Sequence, residues 1–181
     1  MPNASKTKPT QAKTHGSYGR NTQAATTHPH HKGRGFMPRS TKLIYRVIDA
    51  NINRAKEGLR VCEEITRFIF DNYNLTSGFK KIRHRTDAIL KYLPRNIKLF
   101  QERKSLEDVG RKIYINELKR RNCQDIFFAN MQRAKESIRV LEEFTKLINK
   151  NTAVKFKGLR YDIYELEKKA VERIPSLRYR R

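Results

Sequence analysis

Apolar residues recur every three or four positions from about residue 42 onward, which is the spacing of one face of an α-helix. In the first stretch this face consists of Ile48, Ile52, Ala55, Leu59, Cys62, Thr66 and Ile69. The pattern predicts a long helix that ends near Tyr73. A second helix is predicted to follow, with Asn74 or Thr76 as its N-cap and Pro94 as its end.

The same spacing returns after a connector, residues 94–110, that contains the sequence LEDVG. It predicts a short helix at 112–121, a long helix at 125–149 and a final helix at 153–173, which Pro175 ends. The period-two alternation that is typical of strands is nearly absent. The chain is therefore predicted to fold as an all-α helical bundle.

The two long helices carry the same charged phrase. Residues 51–64 read NINRAKEGLRVCEE and residues 130–143 read NMQRAKESIRVLEE, with nine of the fourteen positions identical. The similarity continues weakly in the helices that follow, with FKKIRH from Phe79 and FKGLRY from Phe156. We predict two pseudo-symmetric helical hairpins, residues 45–93 and 125–173, packed about a pseudo-twofold axis within a domain of residues 42–174.

Composition sets the two ends of the chain apart from this domain. The first 41 residues contain seven Lys or Arg, no Asp or Glu, and four of the five His. Such a segment cannot bury enough apolar surface to offset its ordering entropy, so a disordered basic N-terminal tail is predicted to precede the bundle. We take His28, His30 and His31 in this tail to be incidental, and residues 175–181 to be a short basic C-terminal tail.

The net charge of the whole chain is +23, and residues 42–181 alone carry +16, from 34 basic and 18 acidic residues. An excess of this size favours either small phosphorylated compounds or a nucleic-acid backbone as partner. Cys62 and Cys123 have no zinc or disulfide spacing, which favours a reducing cytoplasm. No apolar run approaches the ~18 residues of a membrane span. The pattern leaves a homodimer open.

On a helical wheel, Arg54 falls within ~40° of Val47, Gly58, Val61 and Ile65. Arg54 and its neighbour Asn51 are therefore predicted to point into the packed face, and the second copy predicts the same for Arg133 and Asn130. Glu57, Glu64, Glu136 and Glu143 fall at the border of that face, and Arg60 falls toward solvent.

A guanidinium on an apolar face is costly unless it meets an anion with good geometry, and two explanations remain open. In one, Arg54 pairs with Glu136 or Glu143 across the twofold axis, and Arg133 pairs with Glu57 or Glu64. In the other, the arginines bind phosphate in a cleft between the long helices, where the glutamates hold Mg²⁺ or orient a hydroxyl group.

Further candidates lie outside the phrase. Asp49 is either a metal ligand or a surface residue of the first turns. Arg83 and Arg160 recur at matching places and are either phosphate contacts or solvated edge residues. Asp108 lies in the connector, where it either faces a ligand or caps a helix. Neither GxxxxGK[ST] nor GxGxxG occurs, so a nucleotide site here would be non-standard.

Three segments together resemble the monofunctional hydroxymethylpyrimidine phosphate kinase family of thiamin biosynthesis: DANINRAKEGLRVCEEITRF, LEDVG and FFANMQRAKESIRVLEEFTKL. The resemblance covers about residues 45–170. The family's domain also occurs fused to thiamin phosphate synthase, so relatives often carry that enzyme's name. The β/α barrel of the synthase itself would not fit in this chain.

The resemblance implies an enzyme that moves the γ-phosphate of ATP to 4-amino-5-hydroxymethyl-2-methylpyrimidine phosphate with the help of Mg²⁺. The family's connector usually reads R-D-T-x-x-D-V-G-T. Here Arg103 is kept, but Lys104 and Ser105 replace Asp and Thr, and Arg111 follows Gly110.

From the motif and the wheel together we assign candidate roles. The catalytic candidates are Glu57, Glu64, Glu136, Glu143 and Asp108. The phosphate-binding candidates are Asn51, Arg54, Arg60, Arg83, Asn130, Arg133, Arg139 and Arg160. The candidate Mg²⁺ ligands are Asp49, Glu57 and Glu136.

Two rival classes remain beside the kinase. A nucleic-acid-binding protein could use the same scaffold together with its basic tail, without catalysis, and a structural bundle would need no ligand. ATP, the phosphorylated pyrimidine and Mg²⁺ are the partners that the kinase hypothesis requires.

Overall fold

A computed structural model describes residues 39–94, 99–111 and 119–177, and it is helical throughout its regular part. Four α-helices follow one another: α1 (Arg39–Phe68), α2 (Tyr73–Leu90), α3 (Cys123–Thr145) and α4 (Lys150–Arg173). Short 3₁₀ turns lie at Leu99–Glu102 and Pro175–Leu177. No strand occurs among these residues, which confirms the all-α prediction.

The helix ends differ from the predicted ones because two asparagines act as caps that the periodicity did not single out. Asn72 accepts a hydrogen bond from the backbone N–H of Leu75, so α1 ends at Phe68 and not at Tyr73, and neither Asn74 nor Thr76 is the cap. Asn149 caps α4 in the same way, and α3 ends at Thr145.

Other predictions fall partly or wholly outside the described residues. Most of the predicted helix at 112–121 lies there, and residues 119–121 of it are not helical. The predicted N-terminal tail lies outside up to residue 38, and α1 already begins at Arg39. At the other end, Leu177 is buried against the bundle, so the ordered part extends past residue 175.

The helices form two hairpins, α1–α2 and α3–α4, that pack together chiefly through α1 and α3. A Cβ on Gly58 would lie 2.7 Å from the backbone oxygen of Asn130, so the two backbones approach closely there. Nearer the C-terminal end of α1, the Cys62 thiol lies 3.6 Å from the backbone oxygen of Phe127. Because later residues of α1 meet earlier residues of α3, the two helices run antiparallel.

The core lies between the α1–α3 pair and the helices α2 and α4 behind it. Phe79 of α2 and Phe127 of α3 meet edge to face with ring centroids 5.9 Å apart, and Phe156 of α4 is equally buried. Among the described residues, no α-helix other than α2 and α4 packs against the α1–α3 pair, so one face of the pair is left uncovered by them. Among the described residues, no helix is long and apolar enough to cross a membrane.

Candidate functional site

The prediction that Arg54 and Arg133 point inward is wrong: both side chains are exposed. The wheel placed Arg54 on the apolar stripe of Val47 and Val61, and both valines are only half buried. That stripe lies at the edge of the α1–α3 contact, on the side that α2 and α4 do not cover. The position therefore has apolar neighbours and still faces water.

The proposed ion pairs across the twofold axis are also absent among the described residues. Glu64 pairs with Arg60 of its own helix, and Glu143 pairs with Arg139. Neither Arg54 nor Glu57 has an ion-pair partner in the described part of the chain, and the same holds for Arg133. Glu136 accepts a hydrogen bond from Gln132 at 2.7 Å.

Some of the repeated charged residues of the phrase join the two helices within each hairpin. In the first hairpin the buried Glu63 accepts hydrogen bonds from Arg83 Nε at 3.0 Å and from Arg60 Nη1 at 3.2 Å. In the second, the buried Glu142 accepts them from Arg160 Nε at 2.8 Å and from Arg139 Nη1 at 2.9 Å. The carboxylate side chains are only 4% and 5% exposed.

This network corrects both interpretations of Arg83 and Arg160. They are neither solvated edge residues nor open to a ligand, since their side chains are 18% and 12% exposed and bound to buried glutamates. The bond to Glu142, with a second one to Tyr164, raises the pKa of the Arg160 guanidinium above its ordinary value. Arginines in such pairs hold the hairpins together.

A second pair of contacts also joins the two helices within each hairpin, and it was not predicted from the sequence. Lys56 contacts Asp87 at 2.7 Å, and its counterpart Lys135 contacts Glu167 at 2.8 Å. The identical lysine in both copies was the available signal, but the acidic partners Asp87 and Glu167 do not stand at matching places in the following helices. Both lysines are thereby used within their hairpins.

Asn51 and Asn130 also have matching local roles. The side-chain amide of Asn51 donates to the Val47 carbonyl at 2.9 Å, and that of Asn130 donates to the Ile126 carbonyl at 2.8 Å. Asn51 is buried, as the wheel predicted. Each asparagine thus bonds to its own helix one turn earlier.

The connector brings a different set of polar groups together against α1. Arg103 donates two hydrogen bonds to Asp49, from Nε at 2.8 Å and from Nη2 at 2.9 Å. Arg46 donates to the backbone oxygen of Lys104 at 3.3 Å. These contacts close a cavity of about 250 Å³, which we call the connector pocket, lined mainly by Arg46, Asp49, Asn53, Glu57, Lys104 and Asp108.

Three of the candidate residues line the connector pocket, Asp49, Glu57 and Asp108, and they differ in their bonding partners. Asp49 uses both carboxylate oxygens on Arg103, and this pairing raises the pKa of Arg103, with a smaller contribution from Glu57. Asp108 accepts the Gly110 N–H through Oδ1 at 2.9 Å, which leaves its other oxygen available. The described residues contain no group of three or more side chains suited to hold a metal ion.

The second hairpin does not repeat the acidic part of the connector pocket. At the place of Asp49 it has Phe128, whose ring packs edge to face on Phe127 with centroids 5.5 Å apart. Glu136 stands at the place of Glu57, so it keeps the carboxylate without the neighbouring aspartate or the connector. The chain therefore has two similar hairpins and a one-sided cluster of polar groups.

Known proteins match most of this helical region. The chain is 35% identical to thiamine-phosphate synthase of Nostoc punctiforme over 127 residues, which is 70% of this chain and 35% of that protein. It is 35% identical to the protein of the same name from Synechocystis over 129 residues, 71% of this chain and 36% of the other. For the Rhodopirellula baltica protein the identity is 33% over 125 residues.

The chain spans about a third of the length of these curated relatives. No solved structure matches it. The model of the ThiD2 family matches residues 46–169, close to the 45–170 expected from the repeated phrase and the connector. A match over this much of the sequence shows that the chain belongs to the ThiD2 family.

Proposed function

We propose that the chain is an ATP-dependent kinase of thiamin biosynthesis that phosphorylates 4-amino-5-hydroxymethyl-2-methylpyrimidine phosphate to the diphosphate. The connector pocket carries the proposal, because it combines cations with two carboxylates that no arginine or lysine binds. Phosphoryl transfer depends on positioning and on cations that neutralise the transferring group. The family membership supports the same direction.

Arg46 and Lys104 are proposed to contact the phosphates. Both line the connector pocket, and the side chain of Arg46 is held near the connector by its bond to the Lys104 backbone. Asp49 and Arg103 are positioning residues, since their two-bond pair fixes the connector on α1. The connector's replacement of Asp by Lys104 adds a cation to this pocket.

Glu57 and Asp108 remain as the catalytic carboxylates. Of the other candidates, Glu64 and Glu143 are bound by arginines of their own helices, and Glu136 bonds to Gln132 and does not line the connector pocket. One carboxylate is proposed to accept the proton of the substrate hydroxyl and the other to hold Mg²⁺.

The residues present fit Mg²⁺ as kinases bind it, through one or two carboxylates and the substrate's own phosphates. Asp49 does not serve as a ligand here, because both of its oxygens are bound by Arg103. When bound, Mg²⁺ would neutralise charge on the ATP phosphates. Glu57 and the free oxygen of Asp108 are the groups that would hold it.

The relatives' name points to a different reaction, the synthase reaction, and we propose the kinase for this chain instead. It aligns with only about a third of each relative, and its described residues form helices without a strand. A synthase that uses a β/α barrel needs parallel strands.

The test is turnover of ATP and the pyrimidine monophosphate by the full chain with Mg²⁺, followed as formation of the diphosphate. Glu57→Gln and Asp108→Asn should each lower kcat by about 10²–10⁴-fold. Glu136→Gln is the matched control, because it changes the equivalent carboxylate outside the connector pocket. Absence of turnover in the wild type, or an equal loss in the control, contradicts the assignment.

A second candidate function is non-catalytic binding of nucleic acid. The charge of +16 on residues 42–181 favours it, together with the exposed Arg54 and Arg133, which have no ion-pair partner within residues 39–94, 99–111 and 119–177. RNA or DNA binding whose affinity falls steeply with salt, and falls uniformly across sequences in Arg54→Ala with Arg133→Ala, supports this function. Turnover without such binding excludes it.

A further inference from the structure

A second cavity of about 500 Å³ opens where α1 turns into α2, and we call it the hairpin-tip cleft. The residues that line its mouth are Arg67, Asn72, Tyr73, Thr76, Ser77 and Lys80. Residues 53 and 67 of α1 are fourteen positions apart, which is about 21 Å along a helix. The cleft is therefore distinct from the connector pocket, and nothing in the proposed kinase reaction uses it.

Two cations of the hairpin-tip cleft are free for a ligand. Neither Arg67 nor Lys80 forms an ion pair in the described part of the chain; the Arg67 guanidinium only lies 4.6 Å from the ring centroid of Phe68. Glu63 at the floor of the cleft is already neutralised by two arginines. Positive charge that is not used in folding remains at the mouth.

Two other groups, Tyr73 and Asp71, make the hairpin-tip cleft more selective for a ligand than a surface with positive charge alone. The ring of Tyr73 is 82% exposed at its edge. Asp71 has a left-handed backbone with φ of 47°, which is uncommon for a residue with a Cβ, and its carboxylate has no partner among the described residues. The cleft thus offers an aromatic surface and one acceptor beside its cations.

The second hairpin shows that these groups are not needed to build such a turn. With the N-caps Asn72 and Asn149 aligned, its counterparts of Thr76 and Ser77 are Ala153 and Val154. The same capped hairpin forms there without either hydroxyl group.

One of the two cations also differs between the tips, whereas Lys80 has the equally exposed Lys157 as its counterpart. At the place of Arg67, the second hairpin has Lys146, the C-cap of α3, whose amine donates to both oxygens of Glu143 at 2.9 and 2.8 Å. A cation in the second hairpin is therefore used within its own helix, whereas Arg67 is not. The difference between the tips needs an explanation other than folding.

We propose that the hairpin-tip cleft binds a nucleoside monophosphate with an amino-substituted base, the chemical class to which AMP belongs. Arg67, Lys80 and the Ser77 hydroxyl would bind the phosphate. The ring would stack on Tyr73, and its amino group would donate to Asp71. The acidic Asp71 disfavours inorganic polyphosphate, which has no donor to offer it.

The experiment is a titration of the ¹⁵N-labelled full chain with AMP, without Mg²⁺ or ATP, and in parallel with adenosine and with inorganic phosphate. Saturating amide shifts centred on Ser77 and Lys80 are expected for AMP, with at least tenfold weaker binding of either fragment. Shifts centred on Asn53 and Lys104 would place AMP in the connector pocket instead and overturn the proposal, whatever the fate of the kinase function.

The AMP affinity of two variants and one control shows which residues contribute to binding. Arg67→Ala with Lys80→Ala should weaken AMP binding at least tenfold, whereas Lys146→Ala with Lys157→Ala, the equivalent change in the second hairpin, should leave it unchanged. If the first variant fails to fold, Ser77→Val, which introduces the residue of the second hairpin, should still weaken binding severalfold. Equal loss in both hairpins, or no shift in either, refutes the site.

Discussion

The ion pair between Glu63 and Arg83 should contribute more to the free energy of unfolding than any exposed pair of the same helix. Replacing Arg83 by Leu leaves the buried Glu63 carboxylate with Arg60 as its remaining bonded arginine, at 3.2 Å. Loss of one partner of a buried pair costs about 3–5 kcal/mol when no other compensates. Since Arg60 remains and is half exposed, we expect about 2–3 kcal/mol for Arg83→Leu.

The matched control is Arg85→Leu, two residues along the same helix. Arg85 pairs with Asp162 of α4, but both side chains are about half exposed, so the same change should cost less than about 1 kcal/mol. Urea unfolding followed by circular dichroism measures both values, with the slope checked for constancy. Equal costs for the two variants would refute the view that burial makes the repeated glutamates important. Arg160→Leu should behave like Arg83→Leu, because Glu142 is equally buried.

Three shorter predictions test other parts of the fold. Gly58→Ala should destabilise by about 1–3 kcal/mol, because its Cβ would lie 2.7 Å from a backbone oxygen of α3. A Cβ on Gly158 would meet no atom within 4 Å, so Gly158→Ala should stabilise the protein by about 0.5–1 kcal/mol. Thermal unfolding shows whether each of the two changes stabilises or destabilises. Burial raises the pKa of the Cys62 thiol, so in the native protein a thiol reagent should modify Cys123 much faster than Cys62, and both at equal rates in denaturant. The hydrogen bond from Lys146 lowers the pKa of Glu143. The contribution of this carboxylate to stability is therefore present at neutral pH and is lost as pH falls through the lowered pKa. The difference in urea midpoint between wild type and Glu143→Gln should vanish in acid.

The four long helices and the repeat could be predicted because both depend on local patterns in the sequence. Apolar spacing reports which side of a helix is buried, and nine identical positions in fourteen report that a unit recurs. The predicted helix ends were less accurate, because an N-cap depends on one side chain that accepts a hydrogen bond from one backbone N–H group, as Asn72 does from Leu75. Such a contact leaves little trace in the periodicity.

The direction of Arg54 could not be predicted in the same way. A wheel gives the angle of a side chain on its own helix, but its exposure depends on which sides the neighbouring helices cover. Gly58, on the same side of α1 as Arg54, is buried against the backbone of α3, whereas Arg54 one turn earlier is exposed, so burial changes along a single stripe of the helix. The pair of Asp49 and Arg103, 54 residues apart, was equally hidden, because no local pattern links the two residues.

The duplicated architecture indicates where to look for function. Charged residues that recur in both hairpins form the same bonds twice, as Glu63 and Glu142 do, and those bonds join neighbouring helices. A group used twice for folding is poorly suited to a reaction that needs one orientation of two different substrates. Asp49 and the connector have no counterpart in the second hairpin, where Phe128 occupies the equivalent position. The polar groups around the connector pocket are therefore the better candidates for chemistry, and Glu63 and Glu142 with their arginines form the scaffold that holds them. Glu57 recurs as Glu136, but it forms no ion pair within the described part of the chain, so it is not used in that scaffold.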